Sequence, residues 1–80
     1  MLDMYYFTAV EFVDDPNVVG LTYWYLCDFE EVKVGDVVTA PLGSHNHLQQ
    51  GIVRKTVYAT EFDSPYPFYL IKRIKSYKKV

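Results

Sequence analysis

Apolar and polar positions alternate along this chain in short runs that rarely outlast eight residues, and Gly, Pro, Asp or Asn interrupts nearly every one. Residues 4–12 are aromatic and β-branched, with Tyr5, Phe7 and Ala9 on one face of an extended strand and Tyr6, Thr8 and Val10 on the other. Neither face is polar, so such a strand is covered on both sides or shows tyrosines on one. Asp14-Asp15-Pro16-Asn17 and Gly20 end it in a loop. Residues 21–26 alternate again, Leu21, Tyr23 and Tyr25 against Thr22, Trp24 and Leu26, and form the second predicted strand. The acidic stretch 27–31 is too short for a stable helix, but Phe29 and Val32 can pin an irregular crossing onto a core.

From Val32 and Val34 the chain runs into a Gly35-Asp36 turn, and residues 37–40 leave it as a third strand ended by Pro41. Residues 42–50 read as a polar loop, and Gly51 opens a fourth strand reaching residue 60. Asp63-Ser64-Pro65 and Pro67 make residues 61–67 a turn or rigid loop. Residues 68–75 are the last predicted strand, and 76–80 a tail that frays. No window holds helical spacing for the dozen or so positions a helix needs. Five short strands at intervals of roughly 8–12 residues predict an all-β fold, a small five-stranded barrel of the SH3-like or OB-like kind. One domain, residues 1–80, accounts for the chain, with no repeat or linker.

Composition sharpens this picture. A domain of 80 residues buries only about 60% of its unfolded surface, so its core must be dense. Eight Tyr, five Phe and one Trp meet that need without staples. The single Cys27 cannot close an intramolecular disulfide, which fits a reducing compartment. The amino end carries an acid at Asp3 and no basic leader, and no apolar run reaches membrane-span length, so a cytoplasmic protein without a membrane role is expected.

Charge changes the picture more. The net charge is −2, yet the first 36 residues hold eight acids against Lys33 alone, while residues 37–80 hold Arg54, Lys55, Lys72, Arg73, Lys75, Lys78 and Lys79 against Glu61 and Asp63. Bases interleaved with Tyr77 and near Tyr69 suit a surface that tracks phosphates while aromatic rings stack on bases. The plain alternative is that these lysines solvate a sheet edge and discourage aggregation. If strands of the two halves intermix, the charges neutralise one another instead of forming a patch.

The order Tyr23-Trp24-Tyr25, then Val32-x-Val34-Gly35-Asp36-x-Val38, then Pro41-x-Gly43, then Gly51-Ile52-Val53 resembles the amino-terminal DNA-binding domain of the primosomal helicase PriA. The resemblance covers roughly residues 21–74. It implies a small barrel that captures the 3′ end of a DNA strand in a shallow pocket made by an aromatic residue, the aspartate after it, the glycine after the proline and a lysine near the last strand. Tyr23 matches the aromatic position and Gly43 the glycine. The aspartate position holds Trp24 and the lysine position falls near Tyr69. An indole only donates a hydrogen bond, so it cannot accept one from a terminal hydroxyl as a carboxylate does.

Remaining candidate chemistry is sparse. His45 and His47 could share a face, but no third ligand is placed, so no metal is expected. With Asn46 and Gln49 they are better suited to hydrogen-bonding a partner. No nucleophile elbow or phosphate-cradling glycine loop occurs, and acids beside Cys27 disfavour its thiolate, so neither an enzyme nor a cofactor is expected. Two expectations remain. One is a single-stranded DNA-binding module using Tyr23, Trp24, Gly43, His45, His47, Tyr69, Lys72, Arg73 and Lys75. The other is a protein-interaction module, including a homodimer, that uses the surplus tyrosines as an aromatic face.

Overall fold

A computed structural model describes residues 3–79. Its sheet contains β1 (Tyr5–Glu11), β2 (Thr22–Leu26), β3 (Val37–Leu42), β4 (His47–Ala59), β5 (Lys72–Arg73) and β6 (Ser76–Lys78). The spatial order is β5-β2-β1-β4-β3-β6. Every neighbour pairs antiparallel except β2 and β5, which run parallel. The described residues are all-β apart from two three-residue 3-10 turns, Glu61–Asp63 and Phe68–Leu70.

β1 lies between β2 and β4, and Tyr6 through Val10 are buried without interruption, so its lack of a polar face reflects cover on both sides. Tyr6 and Val10 join Phe12, Tyr25, Val32, Val38, Val53 and Ile74 in the core. Phe7 faces the other way and meets Phe68 edge-on at 6.3 Å, while Tyr5 meets the same ring at 4.8 Å. Phe68 belongs to a segment that folds back over the outer face of β1. Pro65 and Pro67 cannot donate to a ladder, which favours this turn-rich cover over the predicted strand beginning at residue 68.

That change turns the five predicted strands into six. The last predicted strand is a 3-10 turn followed by two very short strands, and residues 76–78, predicted to fray, pair with Val37–Thr39 of β3. Val80 lies outside the described residues. Between β5 and β6 the chain steps from one side of the sheet to the other. The Ile74 amide donates to Leu26 O of β2 at 2.9 Å, and the Lys75 amide to Thr39 O of β3 at 2.8 Å. Two consecutive amides thus draw β2 and β3 together, and the sheet curls into a half-barrel around the buried Ile74 side chain.

Tyrosine hydroxyls add ties across the interior. Tyr6 donates to Val32 O at 2.5 Å, and Tyr25 of β2 donates to Pro41 O of β3 at 2.7 Å. Among the described residues no buried side-chain polar atom lacks a partner.

The predicted loop over residues 42–50 shrinks to a turn at 43–46. β3 continues through Pro41 and Leu42, and β4 begins at His47. Pro41 is tolerated because Thr39, two residues earlier, turns its carbonyl toward the β6 side, and Pro41 turns its donorless nitrogen the same way where β6 is no longer opposite. Gly43 and Asn46, with φ of 81° and 53°, close the turn in left-handed conformations that suit Gly and Asn. Gly51, expected to start a strand, lies buried inside one and faces β1 closely.

Candidate nucleic-acid interface

One edge of β2 is only half covered. β5 lies opposite Tyr25 and Leu26 and does not extend along Thr22–Trp24. The covering segment instead stands off from that edge, leaving a hollow of about 220 Å³ lined by Thr22, Tyr23, Trp24, Tyr25, Tyr66, Leu70 and Lys72. Tyr23 leans toward the core, its ring 6.1 Å from Phe12, whereas Trp24 sits opposite Ala9 on the outer face. Pro65 and Pro67 flank Tyr66 and restrict its backbone, and the Ser64 hydroxyl donates to Tyr66 O.

Lys72 is the one lining residue that carries charge at neutral pH. Its ammonium donates to Gly43 O at 2.9 Å, so the β3–β4 turn and the base of β5 meet at the mouth of the hollow. Tyr69, near which the resemblance put the pocket lysine, does not line the hollow, whereas Lys72 does. Burial pushes the Tyr25 hydroxyl up to about 12, aided by the nearby Tyr23, so it stays a neutral donor to Pro41 O.

The predicted residues therefore divide. Tyr23, Trp24 and Lys72 share the hollow, and Gly43 joins them through Lys72. Tyr69 is 86% exposed and does not line it. Arg73 is held by Asp28 at 2.7 Å, and Lys75 is exposed, contributing only its amide to β3. His45 and His47 lie on the turn and the first residue of β4, their exposed rings 6.0 Å apart, and do not line the hollow. Thr22, Tyr25, Tyr66 and Leu70 were not among the strand-binding residues expected from the sequence, although Tyr25 and Tyr66 belong to its surplus tyrosines. The prolines flanking Tyr66 were the available signal for that residue, since they restrict the backbone on both sides of it.

The two charge-biased halves intermix. Arg54 pairs with Glu11 at 2.9 Å, Arg73 with Asp28 at 2.7 Å and Lys79 with Asp36 at 2.8 Å, each pair joining the acidic half to the basic one. The Gly20 amide, then Arg54, hold the Glu11 carboxyl below the usual carboxylate range. Lys79 also donates to Glu31 O, and the Tyr77 hydroxyl to Glu31 Oε1 at 3.2 Å. The basic carboxyl end is thus largely spent on internal partners rather than laid out as a stripe.

Burial raises the Cys27 thiol, with Asp28 and Glu31 adding to the effect, so it is a poor nucleophile. Among the described residues no group of three or more His, Cys, Asp or Glu could hold a metal ion, and no helix is long and apolar enough to cross a membrane. No protein family, curated protein or solved structure matches the chain, so the likeness to the PriA domain rests on its motifs alone.

Proposed function

We propose that this chain is a non-catalytic binding module whose half-barrel is a variant of the SH3-like or OB-like barrel, and whose hollow at β2 takes the end of a single DNA strand. A cytoplasmic setting suits its lone, buried thiol. The observation that carries the reading is the meeting of Tyr23, Trp24, Tyr66 and Lys72, drawn from distant parts of the chain, at one hollow. Rings that stack on a base, beside an ammonium that meets a phosphate, are the two components single-strand recognition needs, each stack being worth about 1–3 kcal/mol. At about 220 Å³ the hollow is below the roughly 300–1,000 Å³ of pockets that enclose drug-sized ligands, so it suits part of a terminal nucleotide rather than a long tract.

Three phosphates neutralised by the basic carboxyl end, as its sequence suggests, would give a log–log salt slope of about −2 for a single strand. With Arg73 and Lys79 engaged internally and Lys72 alone at the hollow, the slope expected is about −0.7, that of one neutralised phosphate. Trp24 is the only tryptophan, so its emission reports directly on stacking. Titration with a short oligothymidylate at low salt is expected to quench that emission with this shallow salt dependence. An unchanged spectrum, together with unchanged anisotropy of a labelled strand, rejects the reading.

A second reading has its own observation. Phe62, Tyr66, Tyr69 and Leu70 are exposed together on the covering segment, a composition common at protein interfaces. A dimer by sizing, without strand binding, would favour a protein-interaction module.

A further inference from the structure

The single-strand reading leaves open what kind of strand end the hollow prefers, and its electrostatics differ from those expected of a site for a free hydroxyl. No carboxylate lines it, and Lys72 is the only charge. An ammonium has three donors. One goes to Gly43 O at 2.9 Å, which fixes the group at the mouth, and two remain for a ligand. The next base, Arg73, is engaged by Asp28 at 2.7 Å and does not compete for that role.

The strand edge adds a directed donor. The Leu26 carbonyl accepts the Ile74 amide, so Leu26 bonds away from β1, while the neighbouring Cys27 amide bonds back to Tyr6 O at 2.8 Å. Backbone groups alternate direction along an antiparallel strand, so Trp24, two residues before Leu26, turns its N–H and C=O outward as well. β5 stops short of it, and the hollow lies there. In the parallel register of Tyr25 with Lys72 the Trp24 carbonyl accepts the Lys72 amide, which leaves the Trp24 N–H as the outward donor, and since a carbonyl has a second lone pair that a hydroxyl can still reach, hydrogen bonding alone does not separate the two kinds of end. Charge does. An internal phosphodiester carries one negative charge, and a terminal phosphate monoester carries about −1.5 to −2 with three terminal oxygens.

Resting on the single-strand reading, we propose that the hollow is a receptor for a terminal phosphate monoester, with Lys72 and the Trp24 amide as its donors and the rings of Tyr23, Trp24 and Tyr66 against the adjoining base. Nothing in the geometry selects polarity, so 3′- and 5′-terminal phosphates share this chemistry.

Anisotropy titrations of the full chain with labelled hexathymidylates test it. The strands carry two free hydroxyl ends, a 3′-phosphate, a 5′-phosphate, or a 3′-phosphate capped as its methyl ester. The expected result is at least about fivefold tighter binding of one or both phosphorylated strands than of the hydroxyl strand, most of it lost on methylation, which leaves a single charge. In Lys72→Gln, checked for fold by circular dichroism, the preference is expected to vanish, and in Lys72→Arg to persist. The methyl-ester comparison uses the unaltered protein and stands even where Lys72→Gln does not fold. Equal binding of hydroxyl and phosphorylated strands overturns the inference and leaves the single-strand reading intact. A preference undiminished in folded Lys72→Gln overturns the role of Lys72. No binding of any strand overturns both readings.

Discussion

At Gly51 a hydrogen stands where any other residue would place a carbon, and two strands pass closely because of it. A Cβ there falls inside the contact distance of Val10 Cγ1 and lies 3.0 Å from Glu11 O and 3.1 Å from Phe12 Cδ1. Val10 and Phe12 are fully buried, and Glu11 O is backbone, so none can withdraw cheaply. Gly51→Ala is expected to lower stability by about 1–3 kcal/mol, the usual cost of forcing carbon into a packed core. Urea unfolding checks this, and an unchanged midpoint would contradict the packing described. In the sequence Gly51 looked like punctuation between a loop and a strand, because a glycine needed for space and a glycine needed for a turn are written alike. Gly20, Gly35 and Gly43, with φ of 87°, 97° and 81°, are the ones needed for turns. The candidate site was partly legible at this scale. Tyr23, Trp24, Gly43 and Lys72 could be picked out by type and order, whereas Tyr66 and Leu70 reach the hollow only because the covering segment folds back.

β2 and β3 hold each other across the half-barrel without being neighbours in the sheet. The Tyr25 hydroxyl donates to Pro41 O, and burial, with Tyr23 nearby, raises its pKa from 10.0 to about 12. The folded protein therefore keeps this proton more tightly than the unfolded chain does. The associated stability is present in full below about pH 10 and is lost as pH rises toward 12. Tyr25→Phe is expected to be less stable than the native chain at pH 7 and to show a smaller further loss between pH 10 and 12. Thermal melts across that range test it, and parallel loss in both proteins would assign the alkaline transition to other groups.

Alternation alone located β1, β2 and the inner part of β4, because each buries apolar side chains at a two-residue period or on both faces. It misplaced the carboxyl end, where the determining contact is Phe68 on Tyr5 and Phe7, some sixty residues earlier. It also shortened β3 and β4, since polar residues such as His47 and Gln49 occupy a hairpin whose outer part needs no apolar cover.

Over the whole molecule the charge asymmetry of the chain becomes pairing rather than segregation. Among the described residues all three ion pairs join residues from the first 36 to residues from the rest. The bases of all three pairs are about half exposed, so the larger effect of the pairs is on which bases remain available. On the proposed function, binding is concentrated at the hollow, where Lys72 stands beside Tyr23, Trp24 and Tyr66, rather than spread over the basic tail.

That claim is tested most directly by amide and indole chemical-shift mapping of the ¹⁵N-labelled protein during titration with a 3′-phosphorylated hexathymidylate. The expected result is a compact set of perturbations at the Thr22–Trp24 amides, the Trp24 indole N–H, Tyr66 and Lys72, with β6 unmoved. Perturbations centred instead on Lys75–Lys79 or on Phe62 and Tyr69, or none at all, would contradict it.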